Sequence, residues 1–161
     1  MQVSCPNGGT TSISGTVYAP NGTDPLPNIL VYIPTASITA FTDGVSVTNP
    51  TLDSAANLVS GDPLVETTTA ANGTFTLSNI PPGSEIPMVI QAGRWRREFV
   101  ISSVASCANT PLTNVTQGGF STLEGYGETT HVRFAQTQGE GDIPKIALVT
   151  GEADEIGRAH V

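Results

Sequence analysis

From Ser12 to Pro20 the apolar positions Ile13, Val17 and Ala19 fall on one side with Gly15 in phase, while Ser12, Ser14 and Thr16 fall on the other. This period-two alternation predicts a half-buried strand. The cluster Asn21-Gly22-Thr23-Asp24-Pro25 is a turn signal, and the β-branched run from Asn28 to Ile33, ended by Pro34, predicts a second strand. Leu64 to Thr69 reads as a third. Ala70-Ala71-Asn72-Gly73 then supplies a tight turn, and Thr74 to Leu77 a returning strand with Phe75 and Leu77 inward. An Asn-Gly pair between two strand-like runs predicts a hairpin. After the break at Ile80-Pro81-Pro82-Gly83, the runs Ile86–Ala92 and Arg94–Ile101 flank Gly93 and predict a second hairpin. Its second strand sets Trp95, Phe99 and Ile101 on one face and Arg94, Arg96 and Glu98 on the other.

The intervening segments are less regular. Residues 34–62 contain Pro34, Gly44, Pro50 and Gly61 with only Val45 and Val47 as an apolar patch. That is too long for a plain connection, so it is read as an insertion, either a loop packed on the body or a short extra hairpin. Beyond Cys107 the glycines 118, 119, 125 and 127 mark an irregular loop, and Thr130–Phe134 is a candidate edge strand. Lys145 to Gly151 reads as an apolar strand meeting the acidic run Glu152-Ala153-Asp154-Glu155, which suits a helix start and the opening of an α/β unit.

Composition narrows the class. The chain has 161 residues and a mass of 16.6 kDa, which favours one domain, and its 17 Gly and 12 Pro suit many short strands better than a helical bundle. Charged residues are only 12%, so the 22 Thr and 13 Ser must supply much of the solubility. Six basic against 14 acidic residues, a net charge of −8, exclude a phosphate-backbone partner, which needs a basic patch. No apolar run of about 18 residues predicts a membrane span, and the first residues lack a signal-peptide pattern. The Thr/Gly/Asn-rich composition with Lys145 as sole lysine nevertheless reads as a secreted or cell-surface domain whose signal was removed or never captured. Cys5 and Cys107, at the borders of the strand-rich region, fit one staple across a sandwich, the alternative being two unrelated buried thiols. A bridge between them would contribute roughly 4 to 5 kcal/mol in the chain-entropy account. The last six residues, Ile156 to Val161, match the translation of a common sequencing adapter. They are expected to be non-native, with the natural chain continuing past Glu155, so Arg158 and His160 enter no site argument.

The array Ile13-Ser14-Gly15-Thr16-Val17, Leu26-Pro27-Asn28-Ile29-Leu30-Val31-Tyr32 and Thr67 to Gly83, the last containing Asn72-Gly73-Thr74-Phe75 and Ile80-Pro81-Pro82-Gly83, resembles the carboxypeptidase regulatory-like domain. The likeness covers residues 12–102. It implies an all-β, Greek-key, prealbumin-like (transthyretin-like) β-sandwich of about seven strands. With Cys5 ahead, Gly93-Arg94-Trp95-Arg96-Arg97 after it and Gly141 to Ala147 near the end, the chain is similar to long secreted bacterial proteins that carry this domain near the N-terminus.

Against this background the chain carries no recognisable catalytic motif. Neither H-x-x-E nor H-E-x-x-H occurs, and Gly-x-Ser-x-Gly is absent. His131, between Thr130 and Val132, reads as an edge-strand residue. Asp43, Asp53, Asp62 and Asp142 read as solvated turn carboxylates, without the oxygen-ligand spacing of a calcium loop. Lys145 lies outside the array, which disfavours the Lys–Asn isopeptide bond of related prealbumin-like domains. The distinctive constellation is Arg94-Trp95-Arg96-Arg97, holding three of the six basic residues and the only Trp. Either alternate arginines project outward to meet an acidic surface or carboxylated glycan beside a stacking Trp95, or Trp95 is core and the arginines pair with Glu98 and cross-strand acids.

The expected domains are a sandwich over 1–108, an irregular extension with the start of a truncated region over 109–155, and the tail 156–161. The expected function is that of a noncatalytic extracellular accessory module, a spacer or binding platform, without cofactor or metal. Its expected partners are other domains of the same protein or a surface glycan or protein. The alternatives are a carbohydrate-binding module, for which Trp95, Tyr18, Tyr32 and Tyr126 are the available aromatics, and the N-terminal accessory part of an enzyme.

Overall fold

Alternation along the chain resolves into strands wherever an apolar face finds a core. The computed structural model describes residues 4–41, 59–112, 120–121 and 132–144. After a single 3-10 turn at Pro6–Gly8 come β1 (Ser12–Tyr18), β2 (Leu30–Pro34), β3 (Pro63–Thr68), β4 (Thr74–Ser78), β5 (Gly83–Ala92), β6 (Trp95–Val104) and β7 (Asn109–Pro111). Two short strands, β8 (Phe120–Ser121) and β9 (Val132–Arg133), follow. There is no α-helix among the described residues, and the fold is an all-β sandwich. One sheet runs β4-β1-β7 with β9 also on β1, and the other runs β3-β2-β5-β6-β8.

The core lies between the sheets. Ile13, Val17, Phe75 and Leu77 come from the first, and Val31, Ile33, Met88, Ile90, Phe99 and Ile101 from the second. The expected inward positions of Phe75 and Leu77 are thus occupied. Gly15 allows the Phe75 ring to close over β1, since a Cβ there would lie 3.1 Å from two ring carbons. Tyr32 and Val89 are also fully buried, yet they point away from this core, because strand neighbours alternate between faces. The covering layer comes from both described ends of the insertion. Thr35 and Ala36 donate their amides to Gly61 O, and Thr39 donates to Ser60 Oγ. The near-continuous apolar runs of β2 and β5 carry the same message, since strands covered on both faces lose alternation. The interior of the insertion, 42–58, lies outside the described residues.

Two expectations change. The turn at Ala70–Gly73 forms, with Gly73 N donating to Ala70 O and Ala70 N to Thr74 O, but it is a corner between sheets rather than a hairpin. β3 pairs with β2, whereas β4 pairs with β1. A turn fixes only its own residues, and the partner strands decide where each arm goes. Buried Thr69 locks the corner by accepting from Ile29 N at 2.9 Å and donating to Leu26 O at 2.6 Å. The second hairpin, β5 to β6 about Gly93, forms as expected, with Ala92 opposite Trp95. The sandwich also extends beyond the expected 1–108 boundary. β7 and β9 lie end to end along one edge of β1, both parallel to it, and Leu112, Val132 and Phe134 join the core. The apolar strand and helix start expected at 145–155, and the tail, lie outside the described residues.

Candidate functional site

Strand β6 carries the arginine and tryptophan cluster, and its two faces separate the members. Ile90 lies opposite Arg97, and Ile90 belongs to the core, so Arg97 points between the sheets with Trp95 and Phe99. Arg96 lies opposite Gln91 and faces the other way, toward Tyr32 and the insertion. Both arginines are buried, with relative exposures of 5% for Arg96 and 3% for Arg97. Burying a guanidinium requires hydrogen-bonded partners. These come from the segment following β9.

This segment, residues 134–142, leaves β1 and crosses to the edge of β6, so that it straps one side of the sandwich shut. At its far end Asp142 and Arg96 exchange backbone bonds, Arg96 N to Asp142 O at 3.0 Å and Asp142 N to Arg96 O at 2.8 Å. Gly141 permits that approach, since a Cβ there would sit 2.5 Å from Arg96 O. The Arg96 guanidinium then donates from Nε to Asp142 Oδ2 at 2.9 Å, with Nη2 2.7 Å from the same oxygen. Its remaining bonds tie down the insertion, Nη1 to Ser60 Oγ and Nη2 to Thr39 O, and the Phe41 ring lies 4.0 Å from its carbon centre. Arg94 also approaches that ring.

On the core side Glu140 is the anchor. It takes a bidentate pair from Arg133 at 2.9 and 3.0 Å and the Gln136 amide at 2.8 Å, with Arg97 Nη1 at 3.9 Å. The hydrogen bonds from Arg133 above all, helped by that amide and by the charge of Arg97, hold its carboxyl at about 2, well below the usual carboxylate range. Arg97 donates to Arg133 O at 3.1 Å and lies over the Phe99 ring. Burial, and then repulsion from Arg133, bring its pKa down to about 10, partly offset by Glu140, so it remains a cation at neutral pH. Trp95 packs against Phe134 with ring centroids 5.0 Å apart, and its buried Nε1 finds no acceptor among the described residues.

A cleft of about 300 Å³ opens where Ile38 and Ala40, the β6 residues Arg96 and Glu98, and residues 138–142 meet. Glu98 reaches this cleft but is not the partner of either buried arginine, whose acids are Asp142 and Glu140. Partial burial pushes its carboxyl up, against the pull of Arg96. Tyr32 is likewise pushed up by burial, again opposed by Arg96.

Of the two readings of the cluster, Arg96 and Arg97 pair with acids, but with acids 43 to 46 positions downstream in sequence, and Trp95 packs on the core. Asp142, read as a solvated turn carboxylate, is the ion-pair partner of Arg96. The sequence reading does not mark Glu140, Arg133 or Gly141 as site residues; the alternation Gly139-Glu140-Gly141-Asp142, two acids spaced by glycines, is the available signal. Cys5 and Cys107 are joined, with their Cα atoms 5.5 Å apart. Among the described residues no group of three or more His, Cys, Asp or Glu is placed to hold a metal. Asp43, Asp53, Tyr126, His131 and Lys145 lie outside the described residues. No protein-family model, curated protein or solved structure matches the chain.

Proposed function

We propose that the chain is a noncatalytic accessory module of a larger secreted or surface-attached bacterial protein, a prealbumin-like sandwich of the carboxypeptidase regulatory-like kind that acts as a spacer or binding platform. One observation carries the reading. The charged constellation on β6, where chemistry was most to be expected, is consumed in fastening the sandwich, each buried arginine facing its own acid. The disulfide between the N-terminal segment and the β6–β7 turn supports an oxidising compartment, where a bridge of this kind persists.

The test is twofold. Protein recovered from the cells that make it is treated with a thiol label before and after reduction, and the full chain is assayed against peptide, ester and glycoside substrates. The expected result is two thiols labelled only after reduction, in the medium or surface fraction, and no turnover. A cytoplasmic, reduced chain overturns the extracellular part. Turnover that disappears on Glu98→Gln overturns the noncatalytic part.

A further inference from the structure

β3 and β4 leave the corner at 70–73 and become terminal strands of the two sheets, in contact with each other, so both free edges lie on the same side of the sandwich. This is the side away from the strap. Thr69 exchanges backbone bonds with Asn28 and Ile29 on the β2 side. Strand groups alternate in direction, so Thr67 and Val65 also bond toward β2, while Thr68 and Glu66 direct their N–H and C=O outward. Among the described residues nothing pairs with that edge. Leu64, beside it, is the most exposed large apolar side chain among the described residues, at 42%. β3 carries no lysine and no interior proline, its only charge is Glu66, and among the described residues no loop covers its outer edge.

We infer that the β3 edge accepts an added antiparallel strand from an extended segment of another polypeptide that carries a lysine or arginine opposite Glu66. The inference rests on the platform form of the function proposed above. Charge selects the occupant. Arg96, Arg97 and Arg133 are tied to acids on the strapped side, and among the described residues no ion pair to Glu66 is formed. A second copy of this chain, paired antiparallel about a two-fold axis over Leu64–Thr68, would set Glu66 against Glu66, and like charges directly opposite destabilise a strand pair. A basic segment turns the same position into an attractive pair, while backbone bonds supply the sequence-tolerant part of the affinity.

The probe is a short blocked peptide of alternating threonine and valine with a central lysine, added to the full chain at low salt. Slower amide exchange at Glu66 and Thr68 is expected, with binding about fivefold tighter than that of the peptide with a central glutamate. Thr68→Pro removes an outward N–H without touching the β2 pairing, and is expected to weaken binding about tenfold at an unchanged melting temperature. Glu66→Lys tests the same contact without a backbone change and should reverse the preference between the two peptides. Unchanged exchange at Glu66 and Thr68 under millimolar lysine peptide, equal binding of the two peptides, or no reversal in Glu66→Lys overturns the inference. Dimerisation of the unmodified chain through β3 at neutral pH overturns the choice of occupant. None of these readouts concerns export or turnover, so the edge can fail while the accessory-module reading stands, and the reverse.

Discussion

The two sides of the sandwich solve the problem of a sheet edge in opposite ways. On one side β7 and β9 line the edge of β1, residues 134–142 cross to β6, and β8 pairs further along that strand. Three arginines and two acids, none more than 40% exposed, hold this crossing. On the other side β3 and β4 simply end their sheets, with threonines, Ser78, Leu64 and Glu66 along the rim. Chain segments far apart in sequence must be tethered, and tethers cost conformational entropy that strong polar contacts offset. Adjacent strands joined by a four-residue corner need no such fastening. The difference teaches that charge in this molecule follows sequence separation rather than surface exposure.

The most severe way to break the comparison is to cut the strapped side at its root. The bridge from Cys5 to Cys107 spans 102 positions, and it stands beside β7 where Cys107 N also donates to buried Thr11 Oγ1. Replacing both cysteines with serine should cost about 4 kcal/mol by the loop-entropy account. Melting should then fall by on the order of 10 to 20 °C, equally under reduction of the unmodified chain. A loss equal to that of a surface substitution would mean that the strap, not the bridge, closes the fold.

Next in size is Glu140→Gln, expected to cost about 3 kcal/mol because Arg133 and Arg97 would be left facing a neutral amide. The same residue sets an acid limb. Its carboxyl is lowered in the folded state, so the stability it contributes is complete above the unfolded carboxylate value. That contribution is lost as pH falls from about 4.5 toward the folded value of about 2. Urea unfolding across that window should steepen in the native chain and flatten in Glu140→Gln. Gly141→Ala follows at about 2 kcal/mol, since the new methyl meets the Arg96 carbonyl and must part the strap from β6. Amide exchange at Arg96 and Asp142 reads that parting directly.

How much of this could be read beforehand divides along the same line. The first six strands and the Gly93 hairpin follow from alternation and turn residues, which are local. The inward direction of Arg97 was also implicit, because it alternates with Trp95 and Phe99. Its partner was not, since nothing near Arg97 points to Glu140, 43 positions downstream. The corner at Asn72-Gly73 failed for a related reason: local turn chemistry is identical whether the two arms pair with each other or with β1 and β2. Thr69 carries the distinguishing contact, yet a buried threonine in a run of three looks the same in sequence as half-buried Thr67 and exposed Thr68.

That threonine gives a smaller test on the open side. Thr69→Val keeps the shape but removes the acceptor for Ile29 N and the donor for Leu26 O. A cost of about 1.5 kcal/mol is expected from the two orphaned backbone groups. Melting of Thr69→Val against Thr68→Val checks it, the latter being expected within about 0.5 kcal/mol of the native chain.

The smallest effect on stability is expected where the largest effect on association should appear. Glu66 sits in the middle of β3 opposite Tyr32, with its backbone groups turned to the free edge, and no ion pair to it is formed among the described residues. Glu66→Thr should therefore leave unfolding within about 0.5 kcal/mol of the native value. It also leaves an uncharged rim of Leu64 and threonines on that edge, the pattern that recruits another strand. Sedimentation at neutral pH should find the native chain monomeric and Glu66→Thr self-associating, with Thr68→Pro restoring the monomer in the double variant. If Glu66→Thr stays monomeric, the open side is blunted by the shortness of β3 rather than by charge, and the contrast with the arginine-fastened side reduces to one of strand length.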